Sequence, residues 1–232
     1  AVIIFLISNA FRKFEFSFDY VIVFTAFIIA AMCHEVAHGY AAYCFGDDTA
    51  KREGRLSFNP IKHIDLKGLL LPILLLLSGT KFLIGWAKPV PVNFNNLRPH
   101  RLGFFVVAVA GITVNFIFAG ISLILLRTFF HSSYHIFYED IMVKGSPVTE
   151  IIVKFLIYFF FINILLGTFN LIPITPLDGG RIVYSFAPKS VRNFYDKIEN
   201  YGIIIVFLLL WGVLFSNVNK KVFDFLIKLL GG

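Results

Sequence analysis

Two histidines and a glutamate lie inside a stretch of sequence that is otherwise strongly apolar. The run extends from Tyr20 to Phe45 and carries His34, Glu35 and His38 in its second half. Ionisable side chains are costly at membrane depth, and where they occur they usually serve a function. These three residues are therefore the first candidates for a functional site.

The spacing of the three residues indicates a metal centre. His34 and His38 are four positions apart, which is about one turn of helix, so both rings project from one face and can bind one Zn²⁺ ion. Glu35 lies beside that face and can take a proton from a water activated by the metal. We therefore expect zinc as the cofactor and Glu35 as the catalytic base.

The composition indicates an integral membrane protein. Of the 232 residues, 58% are hydrophobic and 15% are charged, whereas about a quarter of a typical soluble domain is charged. The net charge of +7 does not require a nucleic acid, because the basic residues fall in loops between apolar runs, as the positive-inside rule describes. We expect a lipid bilayer around the protein and no nucleic acid partner.

The apolar runs predict an all-α polytopic membrane protein with about four to six transmembrane or interfacial helices. We expect one domain over residues 1–232, with a core at 19–182 and C-terminal helices at 200–230. The loop 127–149 reads as polar and irregular. The predicted spans and a short interfacial helix at the end of the chain are residues 19–44, 102–126, 150–172, 201–216 and 222–230.

Residues 68–94 form the exception, and we expect them to re-enter the membrane rather than cross it. The apolar part between Lys67 and Lys81 is shorter than the roughly 20 residues that a spanning helix needs. Pro89 and Pro91 rule out a regular helix in its second half and favour extended chain. A re-entrant segment also leaves the first and third spans parallel and collects most basic loops on one side, which the positive-inside rule identifies as cytosolic.

A zinc site with two histidines needs a third protein ligand, and Asp178 is the best candidate. It follows Pro173 and Pro176, which end the third span, and it precedes Gly179-Gly180, which permit a tight turn. Broken backbone at membrane depth is tolerated where it is buried in protein or lines a cavity. A helix-capping role for Asp178 is the alternative. Three other acidic residues are more simply explained as solvated charges: Glu139, Glu150 and Glu199.

Taken together, these segments resemble the site-2 protease family of intramembrane zinc metalloproteases. The resemblance rests on His34-Glu35-Val36-Ala37-His38, on Pro176-Leu177-Asp178-Gly179, and on the stretches 85–93 and 110–115. Ile112 departs from the proline that relatives often carry after the Ala-Gly pair. The resemblance implies a zinc endopeptidase, and because no inserted PDZ segment is visible we expect a minimal catalytic core.

For the residues that contact substrate, the sequence leaves alternatives open. Asn163 and Asn170 lie seven positions apart on nearly the same helical face, and either can bond substrate backbone or a neighbouring helix; the resemblance favours Asn170. Asn115 belongs to a stripe of small residues and packs between helices or faces the cavity. The stretch 82–94, with Trp86, Pro89 and Pro91, is either an extended platform for an unwound substrate or a connector.

The expected activity is hydrolysis of peptide bonds within or near transmembrane segments of membrane-protein substrates. A polytopic transporter or channel that passes protons or metal ions through His34, Glu35 and His38 is the alternative. We expect a multi-pass protein of the cell membrane with its site nearer the cytosolic side. The sequence carries no signal for a particular oligomeric state.

Overall fold

A computed structural model describes residues 18–63, 88–136, 141–199, 201, 202, 204, 205, 208 and 218–230. Helices dominate these ranges, as expected. In chain order they are α1 (Phe18–Cys44), α2 (Thr49–Arg52), α3 (His100–Phe129), α4 (Pro147–Asn170), α5 (Asp178–Phe186), α6 (Lys189–Glu199) and α7 (Val218–Leu230), with short 3₁₀ turns at Pro60–His63 and Phe94–Asn96. By length and composition, α1, α3 and α4 can each cross a membrane.

The three long helices pack side by side in alternating directions. Contacts between α1 and α3 pair His34 with Asn115 and His38 with Val107, so these two helices are antiparallel. Lys154 near the start of α4 forms an ion pair with Asp19 near the start of α1 at 2.9 Å, so α1 and α4 are parallel. The parallel direction that we predicted for the first and third spans is thus observed.

Local sequence explains where the long helices begin and end. α1 ends before Gly46, which adopts a φ of 97° that disfavours other residues. α4 begins after Ser146, whose hydroxyl accepts a hydrogen bond from the Thr149 N–H and caps the helix. Small residues then allow close packing, because Ala26 and Ala30 of α1 lie fully buried against Phe159 of α4.

α1 ends and α3 begins at the same end of the bundle, because the two helices are antiparallel. The re-entrant path itself stays a prediction, because residues 64–87 lie outside the described ranges. Residues 88–93 adopt no helix and form what we call the extended segment. The predicted positions 68–87, including Trp86, lie outside the described residues, as does most of the predicted span 201–216.

The loop 127–149 is not wholly irregular, and here the sequence-based prediction was wrong. It contains a small antiparallel sheet of β1 (Tyr134–Ile136) and β2 (Ile141–Val143), in which Tyr134 pairs with Val143. These strands are rich in aromatic and branched residues, which favour extended structure. The buried Tyr134 hydroxyl also donates to the Leu230 carbonyl at 2.5 Å, which ties α7 to this sheet.

A buried carboxylate joins the exit of α1 to the extended segment. Asp47 is fully buried and accepts hydrogen bonds from the Asn93 N–H at 2.7 Å, from Asn96 Nδ2 at 2.9 Å, and from Thr49. Burial alone raises the pKa of Asp47, but the hydrogen bonds from Thr49, Asn96 and Asn93 outweigh burial and lower it below its ordinary value. The carboxylate therefore stabilises the fold in its ionised form.

Replacing Asp47 by alanine should lower the free energy of unfolding by about 2–3 kcal/mol at neutral pH, because its donors lose a charged acceptor. The matched control is Asp48→Ala, which removes only an exposed pair with Arg52. The measurement is thermal unfolding in detergent micelles.

The pH dependence of this stabilisation follows from the depressed pKa of Asp47. The contribution is complete above the ordinary pKa near 3.8 and is lost as the pH falls through the lower pKa of the folded state. The gap in stability between the wild type and Asp47→Ala should therefore narrow as the pH is lowered below about 4. A gap that stays constant down to pH 2 would contradict this account.

Candidate metal centre

The two histidines of α1 face the interior of the bundle, one helical turn apart. His34 and His38 are each only 7% exposed. Their Nε2 atoms lie 3.1 Å from each other, so both rings point at one place. The prediction that these residues share a helix face is confirmed by the geometry.

Asp178 arrives at the same place from the turn between α4 and α5. A Cβ on Gly179 would lie 2.3 Å from the Leu171 carbonyl oxygen, and one on Gly180 would lie 2.4 Å from the Thr175 nitrogen. The two glycines therefore allow the chain to fold tightly back on itself after α4. Asp178 begins α5 inside the bundle, and its Oδ2 lies 3.2 Å from the Nε2 atoms of both His34 and His38.

These three side chains fit a tetrahedral Zn²⁺ ion. Zinc bonds of 2.0–2.1 Å place neighbouring ligand atoms about 3.3 Å apart, and the three separations here are 3.1, 3.2 and 3.2 Å. Within the described ranges they form the one group of three potential ligand residues with donor atoms this close together. The Asp178 Oδ2 atom is buried and has no hydrogen-bond partner among the described residues, as expected of an atom reserved for a cation.

The far side of each imidazole is held by an oxygen acceptor, which leaves Nε2 free to bind a metal. His38 Nδ1 lies 2.6 Å from the Val107 carbonyl oxygen, which can only accept, so Nδ1 carries the proton. His34 Nδ1 lies 2.6 Å from Asn115 Oδ1 and carries the proton for the same reason. With its proton on Nδ1, each neutral imidazole presents the Nε2 lone pair toward Asp178, the arrangement that metal-binding histidines require.

The orientation of the Asn115 amide follows from a second asparagine. Asn115 Nδ2 donates to Asn163 Oδ1 at 2.8 Å, and Asn163 Nδ2 donates to the Phe159 carbonyl at 2.8 Å. Because the Phe159 carbonyl can only accept, Asn163 must donate to it with Nδ2 and accept from Asn115 with Oδ1. Asn115 Nδ2 is therefore used for Asn163, and the Asn115 oxygen points toward His34. Asn115 and Asn163 are both fully buried, and these contacts lie on the Nδ1 side of His34.

Gly111 gives the two imidazoles their space against α3. A Cβ at this position would lie 2.5 Å from His38 Nε2 and 2.6 Å from His34 Cε1. A glycine in the middle of a helix is usually unfavourable, so its position opposite both rings explains why it is used. In the sequence it is visible only as one member of a stripe of small residues.

Glu35 lies beside the two histidines and is held by the extended segment. It is partly exposed, and its Oε2 accepts a hydrogen bond from the Val90 N–H at 2.8 Å. The sequence pointed to Glu35 itself, but it contained no signal for this backbone partner 55 positions away.

The remaining predicted residues lie at the margins of this group or outside the described ranges. Asn170 is the last residue of α4, is partly buried, and donates to the Leu166 carbonyl of its own helix at 3.0 Å. Pro89 is exposed and Pro91 is partly exposed in the extended segment. Of the alternative acidic ligands, Glu150 pairs with Lys154 at 3.0 Å, Glu199 is exposed at the end of α6, and Glu139 is not described.

Comparisons with known proteins agree with this geometry. The sequence profile described as peptidase family M50 matches residues 22–213. YwhC of Bacillus subtilis is 40% identical over 79% of this chain and 77% of its own length, and Rip2 of Mycolicibacterium smegmatis is 24% identical over 88% and 71%; their names designate both as candidate zinc metalloproteases. Zinc metalloprotease MJ0392 of Methanocaldococcus jannaschii is 28% identical over 87% of this chain and 46% of its own length. No solved structure matches the chain significantly.

The fold and the site together define an integral membrane protein of the metalloprotease class. In the described part of the chain, three helices are long and apolar enough to cross a membrane, and two histidines and an aspartate could together hold a metal ion. The chain belongs to peptidase family M50, the site-2 proteases, and is a zinc metalloprotease.

Substituting alanine at Gly111 should push the two imidazoles apart and lower the affinity for Zn²⁺ about 10–100-fold, a range typical of disturbed support around metal ligands. Gly120→Ala is the matched control on the same helix, because a Cβ there meets nothing within 4 Å among the described residues. Titration of purified protein with a competing chelator measures both affinities. Equal Zn²⁺ affinities in the two variants would show that the close packing of α3 against the imidazoles does not affect metal binding.

Proposed function

We propose that this protein hydrolyses peptide bonds within or near the transmembrane segments of membrane proteins, with His34, His38 and Asp178 as the zinc ligands and Glu35 as the general base. The observation that carries this proposal is the convergence of the two Nε2 atoms on Asp178 Oδ2 at 3.2 Å. Membership of family M50 supports the chemistry, and the position of the group between membrane-length helices supports the choice of substrate.

The proposed mechanism assigns a separate task to each residue of the group. Zinc, when bound, supplies Lewis acidity that makes water a better nucleophile and polarises a peptide carbonyl. Glu35 takes a proton from the attacking water and passes it to the departing amine. Asn115 and the Val107 carbonyl keep the two imidazoles in the tautomer whose Nε2 can bind the metal. Asn163 acts one step further away, by orienting Asn115.

The substrate must present an unwound stretch of backbone, because a helix hides its peptide bonds in internal hydrogen bonds. We propose that the extended segment is the surface where this stretch docks, as an added strand. Its prolines, Pro89 and Pro91, lack N–H groups and keep it from forming a helix. Asn170 stands at the end of α4, just before the turn that carries Asp178, and its amide is suited to bond substrate backbone. Trp86, which lies outside the described residues, is proposed to take part in the same docking.

The proposed setting is the cell membrane, with the catalytic group nearer the cytosolic face. The loops at the end of the bundle where α1 ends and α3 begins are rich in basic residues, including Lys51, Arg52 and Arg55, and such loops usually stay in the cytosol. His38 lies six residues before the end of α1, so we propose that water enters from that end. The proposed substrates are therefore cut on the cytosolic side of the membrane.

Replacing Glu35 by glutamine separates this proposal from a transporter or channel that uses the same residues. The variant should bind Zn²⁺ as the wild type does, because the three ligands are untouched, but cleavage of a model single-span substrate should fall by at least about 100-fold, since glutamine cannot accept the proton. The measurements are zinc content and product formation in proteoliposomes. Full cleavage by Glu35→Gln would exclude the proposed mechanism.

The same zinc measurement tests the third ligand, because Asp178→Ala should lose zinc, whereas Glu150→Ala should keep it.

The two asparagines of α4 should respond differently to substitution. Asn163→Leu removes the acceptor that orients Asn115 and should weaken zinc binding about 10–100-fold. Asn170→Leu should leave zinc affinity unchanged while lowering kcat/KM, because its proposed role is toward substrate. Chelator competition and steady-state kinetics on the two variants distinguish the roles. The opposite pattern, with zinc loss in Asn170→Leu alone, would reverse the assignment.

A further inference from the structure

The hydrogen bond between Glu35 and Val90 joins the proposed base to a distant part of the chain. Glu35 Oε2 accepts from the Val90 backbone N–H at 2.8 Å, and Val90 lies in the extended segment rather than in α1. A glutamate side chain rotates about several bonds, so one fixed oxygen restricts where the other can lie. The position of the carboxylate thus depends on how firmly residues 88–90 are held.

A buried arginine holds those residues. Arg55 is 7% exposed, and its NH2 group donates to the Lys88 carbonyl at 2.9 Å and to the Pro89 carbonyl at 3.2 Å. The Lys88 N–H donates in turn to the His63 carbonyl at 2.9 Å. The peptide groups immediately before the Val90 nitrogen are therefore fixed from two directions.

The surface of α1 is shaped to receive Val90. A Cβ on Gly39 would lie 2.8 Å from Val90 Cγ1 and 2.6 Å from Leu56 Cδ2. Gly39 is four positions after Glu35, so it lies on the same side of α1 one turn further along. Val90 is 6% exposed, so the valine packs against this turn of α1 while its N–H reaches Glu35.

We propose that Arg55 is a positioning residue for peptide hydrolysis: by holding the Lys88 and Pro89 carbonyls, it directs the Val90 N–H at Glu35 and so fixes the carboxylate that receives the proton. The inference rests on the proposed function of Glu35. Both bonds come from one guanidinium nitrogen, whose two N–H groups are fixed in the plane of the group, whereas the N–H groups of a lysine ammonium rotate at the end of a flexible stem. Through the same contacts, a movement of the proposed docking surface also moves the Glu35 carboxylate.

The kinetic test compares Arg55→Gln and Arg55→Lys with the wild type as full-length protein in proteoliposomes. We expect kcat for a model single-span substrate to fall about 10–100-fold in Arg55→Gln, since small displacements of a catalytic group have effects of this size. Arg55→Lys should recover part of the loss. Zinc affinity should stay within about threefold of the wild type, because Arg55 touches no ligand residue.

Arg98→Gln is the matched control, because this exposed arginine also donates to two backbone carbonyls, those of Asn95 at 2.7 Å and Leu97 at 2.8 Å, without touching residues 88–90. It should keep wild-type kcat. A folded Arg55→Gln protein with unchanged kcat would overturn the proposal. So would a parallel loss of zinc affinity and kcat, which indicates a general loss of structure.

Infrared spectroscopy tests the link without relying on activity. The difference spectrum between each protein and its Glu35→Gln counterpart isolates the carboxylate bands of Glu35. We expect these bands to shift in Arg55→Gln relative to the wild type and to stay in place in Arg98→Gln; unshifted bands in Arg55→Gln overturn the proposal. If the wild type does not cleave its substrate while the bands shift as expected, the proposed function fails and the linkage stands.

If Arg55→Gln does not fold, an ester bond in place of the Pro89–Val90 amide deletes the Val90 N–H, and the same shift of the Glu35 carboxylate bands is expected.

Discussion

The structure depends on three ligand atoms that have no reason to be close to one another without a cation between them. Asp178 Oδ2 is buried, lies 3.2 Å from two imidazole nitrogens that carry lone pairs, and has no hydrogen-bond partner in the described part of the chain. Leaving such atoms buried and uncompensated is costly. A cation held by the three side chains would compensate these atoms.

The three ligand residues are supported by hydrogen bonds in which the donor and the acceptor cannot exchange roles. Backbone carbonyls of Val107 and Phe159 can accept but not donate, so they determine which way the imidazole of His38 and the amides of Asn163 and Asn115 must point. Every bond in these two chains is between buried groups, where an unmet donor or acceptor is expensive. The tautomers of the two histidines are thus specified by groups of α3 and α4 on the Nδ1 side of the rings.

Polar contacts also hold the extended segment in place at the end of the bundle. Arg55 holds residues 88 and 89, Glu35 receives the Val90 N–H, and Asp47 receives the N–H of Asn93. A short stretch of chain without helical hydrogen bonds is in this way ordered by three charged side chains. Its attachment to α1 connects the proposed binding surface for substrate with the residues of the metal group.

The sequence alone was enough to predict the membrane class and the three long helices within a few residues of their ends, and it singled out His34, Glu35, His38 and Asp178 as candidate site residues, because helical periodicity and the cost of charge at membrane depth are local properties. Asp178 was recognised from the prolines and glycines around it and from a family resemblance. The sequence contained no comparable sign of the small sheet at 134–143, of Gly111 as the space for two imidazoles, or of the Val90 N–H as the partner of Glu35. These features are contacts between residues far apart in the chain, and only the packing of helices brings them together. The tertiary structure also decided between contacts that were locally equivalent, because it places the Asn115 amide oxygen against His34 and the Asn115 amide nitrogen against Asn163.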